Sequence, residues 1–170
     1  MFWNLTVEDR LFEIRLLDGA EMLSRWDEVE RMLRKAFDDA QYNDDGYSVE
    51  NPVSFTRAGV DGALGPGIKH VIALGNGGLV GGFFCLPTEP RGDEKSCDVG
   101  WVFLTPDLPH PYRRGVLNEI MARGYQAVKN AGFERIVSNM GTAAGSAALT
   151  RYGFVHSPLP STSNRWVKEL

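Results

Sequence analysis

The sequence has few cysteines, no long apolar run and no excess of basic residues. Its 170 residues include only two cysteines, Cys85 and Cys97, which is too few for a disulfide framework. Both lie in apolar, strand-like context, so we expect two buried, reduced thiols. No apolar run approaches the roughly 18 residues of a membrane span, and residues 1–10 lack a basic region followed by an apolar one. We therefore expect the protein to stay in the cytoplasm, with no membrane partner.

The balance of charge is mildly acidic, with a formal net charge of −4 at pH 7 and a pI near 5.4. Proteins that bind nucleic acid usually present a basic face, so we expect no nucleic-acid partner, whereas cationic substrates are compatible with this charge. Apolar residues make up 43% of the chain and charged residues 24%, close to globular averages. We predict a single domain over residues 1–170.

Strand and helix patterns alternate along the chain. Alternating apolar residues predict a strand over Leu11–Leu17, and spacing of three and four predicts a helix over residues 22–37. Asn51 and Pro52 suit the cap and first turn of a second helix that reaches toward Leu64. Later patterns predict strands over 70–74, 79–86, 96–105, 134–139 and 165–168, a long helix ending at 131–133, a short helix over 142–152, and loops over 38–46, 65–67 and 87–95.

Glycine is concentrated at Gly75-Asn76-Gly77-Gly78, between two apolar runs. Asn-Gly in this setting is the strongest short hairpin signal. A dinucleotide-binding fingerprint is the alternative, but its third glycine is misplaced and no helix follows. The strand over 96–105 is expected to pair with the preceding one, which gives an antiparallel meander within a mixed α/β sheet.

The strongest chemical signal begins at the apolar strand Cys97–Leu104. This strand leads through a proline-rich turn into Tyr112-Arg113-Arg114-Gly115-Val116-Leu117, before an amphipathic helix. A basic, glycine-bearing loop at a helix N-terminus presents N–H groups and positive charge to an anion such as phosphate. Arg113 and Arg114 suit phosphate by charge and fork geometry, although arginine pairs are also common on solvated surfaces.

This order of elements resembles the GNAT superfamily of N-acyltransferases from about Leu11 to the end of the chain. The resemblance implies an α/β (α+β) fold, with a mixed, mostly antiparallel central sheet flanked by about four helices. It implies that the backbone after Gly100-Trp101, here Val102, Phe103 and Leu104, binds the pantetheine arm of an acyl thioester, provided that a bulge splays this strand from its neighbour. It also implies that a Q/R-x-x-G-x-G/A loop grips the pyrophosphate of CoA.

The match to that loop is incomplete. With Gly115 as its first glycine, Tyr112 replaces the expected Gln or Arg, and Leu117 replaces the second Gly or Ala. We expect the bulk of Leu117 to crowd the second phosphate of CoA. A register that starts at Arg113 recovers the basic residue but loses both glycines, so we prefer the Gly115 register, which also gives the helix the length usual in the family.

Asp98 is the best candidate for the catalytic base. It lies three residues before Trp101, on the polar side of an apolar strand, where the family often places a Glu that acts directly or through water. The shorter Asp favours relay through water, and the alternative is a structural surface carboxylate. His110 is a second candidate because imidazole titrates near neutrality, although Pro109-His110-Pro111 also describes an exposed turn. His70 and His156 are expected at strand edges.

The usual general acid of the family is a Tyr four residues before the Gly-Phe that follows the short helix. Leu149 occupies that position here and has no proton to donate. Tyr152, three residues later, either replaces the missing acid or packs against the fold. Ser146, one turn before Leu149, is a candidate contact for the thiol region of the donor.

The resemblance implies an N-acyltransferase that moves an acyl group from acetyl-CoA or another acyl-CoA to the amine of a small molecule, without a metal. Two alternatives remain. In the first, the acyl donor is a phosphopantetheine thioester on an acyl carrier protein, whose arm has one phosphodiester and no pyrophosphate. In the second, the protein is a non-catalytic binding module. We expect a monomer or homodimer.

Overall fold

The computed structural model describes residues 1–38, 50–63, 69–86, 95–139, 143–158 and 164–170. The loops predicted over 38–46, 65–67 and 87–95 lie outside these residues, apart from Asp38 and Lys95. The strands are β1 (Phe2–Val7), β2 (Arg10–Leu17), β3 (His70–Gly75), β4 (Gly78–Leu86), β5 (Ser96–Leu104), β6 (Arg135–Asn139), β7 (Val155–His156) and β8 (Arg165–Glu169). The helices are α1 (Gly19–Leu23), α2 (Trp26–Phe37), α3 (Glu50–Ala58), α4 (His110–Asn130) and α5 (Ala143–Arg151), and a π-helical turn, Gly59–Ala63, extends α3.

The strands form one eight-stranded sheet in the order β1-β2-β3-β4-β5-β6-β8-β7. Neighbouring strands are antiparallel except β5 and β6, which are parallel and joined by the long crossover that contains α4. This confirms the predicted mixed, mostly antiparallel sheet. The described part of the chain contains no helix long and apolar enough to cross a bilayer.

Helices cover both faces of the sheet, and each face has its own apolar core. On one face, which we call the α4 face, Val116, Ile120 and Val128 of α4 are buried against the strands. On the other, which we call the α1–α3 face, the buried residues are Met22 of α1, Val29 and Leu33 of α2, and Val53 of α3. The long amphipathic pattern of the sequence thus predicts the helix correctly, since one stripe of α4 is apolar and buried.

The hairpin predicted at Asn-Gly is confirmed. Gly75 pairs with Gly78, and the two turn residues have positive φ angles, 51° at Asn76 and 81° at Gly77. Two positive φ angles in a two-residue turn match the twist of the flanking strands, which is why Asn and Gly are favoured there.

Two helix boundaries differ from prediction. The helix predicted over residues 22–37 is two helices, because the backbone of Arg25 leaves the helical region and ends α1. The first of them, α1, begins at a capping box between Asp18 and Glu21. In α3, Asn51 is not the cap, because the helix already begins at Glu50.

The N-terminal strand β1 was not predicted. It pairs with β2 from Phe2↔Arg15 to Val7↔Arg10, and Trp3, Leu5 and Val7 are half-buried against the α4-face core. Alternation of apolar and polar residues over 3–7 was the available signal. The turn that follows contains no glycine, and Glu8 adopts the left-handed conformation there with φ 53°.

Candidate functional site

Strands β5 and β6 separate to form a fork. Their parallel ladder covers only Ser96 to Asp98 on β5 and Arg135 to Val137 on β6. Beyond Asp98, β5 continues to Leu104, and among the described residues no strand pairs with that side of it. We call this opening the β5–β6 fork, bounded by residues 98–104 of β5 and 137–139 of β6.

A β-bulge at Gly100 accompanies the fork. Trp101 pairs with Phe84 of β4, but Val99 pairs with the next residue, Cys85, so Gly100 is an extra residue on β5. A bulge bends its strand and locally ends regular pairing. This agrees with the condition that the family resemblance set for this strand.

The bulge also decides which side chains share a face. Cys97 and Val99 belong to the α4-face core, whereas Trp101 and Phe103 belong to the α1–α3 face. Because side chains alternate along a strand, Asp98 is directed to the α1–α3 face. The extra residue therefore brings Asp98 and Trp101 to the same face.

Backbone groups of β5 point into the fork at alternate residues. The N–H of Thr105 donates to the carbonyl of Val80 on β4 at 2.8 Å. Successive residues of a strand direct their N–H and C=O groups to opposite edges, so Phe103, two residues earlier, also directs these groups toward β4. Val102 and Leu104, which lie between, direct theirs toward the fork. Of the three predicted donor-binding residues, Phe103 alone faces β4 with its backbone, and its ring is buried in the α1–α3-face core.

Asp98 lies at the closed end of the fork. It pairs with Leu86 on β4 and with Val137 on β6, and it is half-buried. A carboxylate at this point is held by strands on both sides. The structure thus places the predicted base beside the fork and on the α1–α3 face.

Arg113 and Tyr112 are engaged in intramolecular contacts. The Nη1 group of Arg113 donates to the carbonyls of Thr105 at 2.9 Å and Leu108 at 3.2 Å, which fixes the loop between β5 and α4. The phenol of Tyr112 donates to Oδ1 of Asp9 at 3.0 Å, and this bond is the main cause of the raised pKa of Tyr112. Tyr112 therefore attaches the β1–β2 turn to α4.

The predicted place of Gly115, in a loop before the helix, is wrong. Because α4 begins at His110, Gly115 lies in its second turn, where backbone N–H groups are bonded to carbonyls one turn earlier. A side chain here would meet Val7, since an added Cβ would lie 2.8 Å from its Cγ2 atom. The glycine thus permits close packing of β1 on α4.

The first turn of α4 offers few free amides. Pro111 has no N–H, and the N–H of Tyr112 donates to the carbonyl of Pro109 at 3.1 Å. Leu117 is half-buried and packs against the α4-face core. A phosphate near this helix would therefore be bound mainly by side chains, and less by the backbone N–H groups that the loop motif suggests. Arg114 is exposed.

The helix α5 contains Ser146, the predicted contact for the thiol region, and Leu149, which occupies the usual place of the acid, and Tyr152 directly follows this helix. Leu149 is buried in the α4-face core, and Ser146 is half-buried, with its carbonyl accepting a hydrogen bond from the Thr150 hydroxyl at 3.0 Å. The phenol of Tyr152 donates to Oδ1 of Asn118 on α4 at 3.0 Å. This hydrogen bond joins the two helices and favours a packing role for Tyr152.

Burial raises the pKa of Tyr152, and the positive charges of Arg151 and Arg114 oppose this effect. The backbone carbonyl of Tyr152 accepts a second hydrogen bond, from the phenol of Tyr125 at 3.0 Å. Asn118 and Arg151 were not predicted as site residues. The four-residue spacing of Arg114 and Asn118 was the available signal for the first of them.

None of the three histidines lies on β5 or β6, the two strands that bound the fork. His70 is the first residue of β3, an interior strand of the sheet, and its side chain is fully buried. His110 is exposed at the first residue of α4, and His156 is exposed on the edge strand β7. The part of the chain described by the structure has no group of three side chains suited to a metal ion.

The sheet order, the fork and the crossover helix together define the GNAT fold. Solved structures share it: a GNAT-family acetyltransferase from Brucella melitensis in complex with acetyl-CoA superposes with a TM-score of 0.68 at 14% identity, over 94% of this chain and 88% of the other. The PaiA N-acetyltransferase from Thermoplasma acidophilum in complex with coenzyme A gives 0.63 at 13% identity, over 94% and 99% of the two chains.

The ribosomal-protein-S18-alanine N-acetyltransferase from Escherichia coli gives a TM-score of 0.57 at 12% identity, over 94% of this chain and 92% of the other. No protein-family model matches the sequence, and no curated protein sequence matches it. The structural similarities confirm the predicted fold.

Proposed function

We propose that this protein is an N-acyltransferase that moves an acyl group from acetyl-CoA or another acyl-CoA to the amine of a small molecule. The β5–β6 fork carries this proposal. The backbone groups of Val102 and Leu104 face the opening, where the amides of a pantetheine arm would bind as an additional strand does. Two of the similar folds are known with coenzyme A or acetyl-CoA bound, which supports the same class of donor.

Asp98 is the proposed base. The amine attacks the thioester carbonyl, so that the C–N bond forms and the C–S bond breaks. The amine proton passes to Asp98, directly or through one water, and CoA leaves as its thiolate. The half-buried position of Asp98 at the closed end of the fork supports this role, because a general base must lie within hydrogen-bond reach of its proton or one water away.

Tyr152 is proposed as a positioning residue. Its proton is engaged by Asn118, and Leu149, at the usual place of the acid, carries no proton to donate. The thiolate is therefore protonated by solvent or by the base in return. Ser146 lies on the same helix and remains a proposed contact for the thiol region.

A thiol-release assay tests the proposal. Purified protein is mixed with a panel of acyl-CoA donors and small amines, and free thiol is measured against reactions without amine. Amine-dependent release confirms acyl transfer from CoA. A protein that binds CoA in calorimetry but releases no thiol with any amine would be a binding module instead.

A carrier-protein donor is the second candidate, and the start of α4 favours it. The amide of Gly115 lies inside the helix, so fewer backbone N–H groups are available to bind the pyrophosphate of CoA. A carrier-bound phosphopantetheine has only one phosphodiester and therefore needs fewer such donors. Values of kcat/KM are compared for one acyl group on CoA and on a phosphopantetheinylated carrier. Equal or better use of the CoA thioester, without carrier binding in calorimetry, rules the carrier out.

A further inference from the structure

The position of Asp98 determines the side from which an amine reaches the β5–β6 fork. The Asp98 side chain is directed to the α1–α3 face, together with Trp101 and Phe103. Val102 and Leu104, whose backbones face the fork, have their side chains on the α4 face. An amine that passes its proton to Asp98 must lie within reach of that carboxylate. The acceptor therefore approaches from the α1–α3 face, and its remaining atoms lie against the side chains of that face.

Trp101 is the next side chain after Asp98 on this face. Asp98 pairs with Leu86, and Trp101 pairs with Phe84, two residues away on β4. Across the bulge, Asp98 and Trp101 are therefore spaced like residues i and i+2 of a regular strand, about 7 Å apart. Trp101 is half-buried, so part of its surface is accessible.

Trp101 belongs to a group of aromatic rings that pack together on this face. The ring of Phe37, the last residue of α2, meets the ring of Trp101 edge to face with 5.3 Å between the centroids, and it lies 6.0 Å from the ring of Phe103. Phe103 packs edge to face on Phe84 at 5.2 Å. Phe84 and Phe103 are buried, whereas Phe37 and Trp101 are half-buried. We call Phe37 and Trp101 the aromatic wall, and the two buried rings hold it in place.

The strands beneath the aromatic wall have little charge. Among the residues of β4 and β5, Asp98 alone is charged, and Lys35, two residues before Phe37, forms an ion pair with Asp107. An acceptor rich in hydroxyl or amino groups would lose water from these groups against the rings without gaining hydrogen bonds there. An aromatic body, in contrast, gains both from burial of apolar area and from contact between rings.

We propose that the acceptor is a primary amine joined by a short linker to an aromatic ring, and that Trp101 and Phe37 bind this ring. The inference rests on the proposed function, because it assigns the acceptor of the same acyl transfer. With the amine at Asp98 and the ring against Trp101, the linker spans the roughly 7 Å between these two points. A linker of about two or three carbon atoms suffices. The amine proton still passes to Asp98, and CoA leaves as its thiolate.

The acceptor preference of the wild type is the first test. Thiol release with the best acyl-CoA gives kcat/KM for 2-phenylethylamine, 2-cyclohexylethylamine and glucosamine, a polar amine of similar size. We expect 2-phenylethylamine to be used about tenfold or more better than glucosamine, because its ring is buried. It should also be used about threefold better than the cyclohexyl amine, which lacks the contacts between aromatic rings. Equal or better use of either competitor overturns the proposal.

Substitutions test the two residues. Trp101→Ala is expected to raise KM for 2-phenylethylamine about tenfold, and Phe37→Ala about threefold, with kcat and the use of glucosamine changed less than about twofold. Trp101→Phe keeps a ring and should recover most of the affinity, and it takes the place of Trp101→Ala if that variant does not fold. Phe2→Ala is the matched control, because Phe2 is exposed on the edge strand β1, and it should behave as wild type.

Calorimetry with CoA shows whether the donor site is intact in each variant. We expect the dissociation constant of CoA to stay within about twofold of wild type, because Trp101 and Phe37 lie on the acceptor side. An equal loss of activity toward 2-phenylethylamine and glucosamine in Trp101→Ala overturns the proposal, since the residue would then support the fold or the donor. Unchanged KM for 2-phenylethylamine in both alanine variants overturns it as well.

Failure of the proposed function is a separate result. A wild-type protein that releases no thiol with any amine refutes the acyl transfer, and the aromatic wall is then tested by calorimetric titration of 2-phenylethylamine into the protein. Binding that Trp101→Ala weakens about tenfold and Phe2→Ala leaves unchanged supports the aromatic wall as an amine site. Absence of binding, or equal binding by Trp101→Ala, overturns it.

Discussion

Asp98 owes its position to a single extra residue. Without the bulge at Gly100, regular alternation would place Asp98 and Trp101 on opposite faces of the sheet. With it, both are directed to the α1–α3 face, and Asp98 marks the last rung of the β5–β6 ladder. The same bulge thus opens the fork and sets the proposed base beside it.

Substitution of Asp98 tests its role. Asp98→Asn keeps the size of the side chain but removes its basicity, so we expect kcat/KM to fall about 100-fold with donor affinity unchanged, as for loss of a general base. Thiol release and CoA calorimetry measure the two quantities. Asp27→Asn, an exposed acid on α2, is the control and should retain full activity. Full activity of Asp98→Asn across the pH range would make Asp98 structural.

Tyr152 gives the opposite expectation. Tyr152→Phe removes the hydrogen bond to Asn118 but keeps the ring, so we expect kcat within twofold of wild type and a loss of about 1 kcal/mol in the free energy of unfolding. Steady-state kinetics and urea denaturation provide the measurements. A tenfold or larger fall in kcat, with the fold intact, would show that the phenol donates the proton to the leaving thiolate.

Among the elements, α4 is the one on which both the sheet and the site depend. It packs along the strands through buried apolar residues. In its first turns, Tyr112 donates a hydrogen bond to Asp9 in the β1–β2 turn, and Gly115 lies against Val7 of β1. Gly124, in its middle, lies against the ring of Phe83 on β4. The close approach of helix and sheet therefore depends on glycine at this point.

Gly124→Ala separates packing from helix propensity. An added Cβ would lie 2.6 Å from Cδ2 of Phe83, a ring that is fully buried. Alanine favours the helix by about 1 kcal/mol, but overpacking of this kind costs about 1–3 kcal/mol. We expect a net lower free energy of unfolding by urea denaturation. Ala122→Gly, on the exposed side of α4, measures the propensity term, and a stabilised Gly124→Ala would refute the packing argument.

Elements with strong local signals were predictable from the sequence. The Asn76-Gly77 turn needs two positive φ angles, and few other residues adopt them easily. The start of α4 was not predictable in the same way, because proline at 109 and 111 indicates a turn as well as a helix start. The role of Gly115 depends on Val7, more than a hundred residues earlier, and no local pattern reports such a contact.

The type of sheet, mixed and mostly antiparallel, was predictable from the sequence. The contacts of individual polar side chains were less predictable. The parallel β5–β6 pair follows from a strand, a long helix and another strand in sequence, and the resemblance supplied the fork. The pairing of Tyr152 with Asn118 across two helices has no local sequence signal, nor does the burial of His70, a polar residue at the start of a strand. Such placements depend on how the helices pack on the finished sheet.

His70 links the stability of the whole molecule to pH. Its ring is fully buried, neither ring nitrogen has a hydrogen-bond partner in the described structure, and burial lowers its pKa from 6.5 to about 4, against a smaller opposing effect of Asp18. The native protein therefore holds this histidine neutral between pH 6.5 and 4, while the unfolded chain binds a proton. Stability is fully present above pH 6.5 and is lost as the pH falls toward 4.

The loss attributable to His70 is expected to reach about 3 kcal/mol near pH 4. Urea denaturation at pH 7.5, 6.5, 5.5 and 4.5 measures it, with His70→Leu as the variant that cannot titrate and His110→Gln as the control for an exposed histidine. His70→Leu should show a shallower fall in the free energy of unfolding from pH 6.5 to 4.5 than the wild type, and His110→Gln should follow the wild type. Parallel curves for wild type and His70→Leu would mean that His70 gains a proton in the folded state as easily as in the unfolded one, and that acid sensitivity comes from the carboxylates instead.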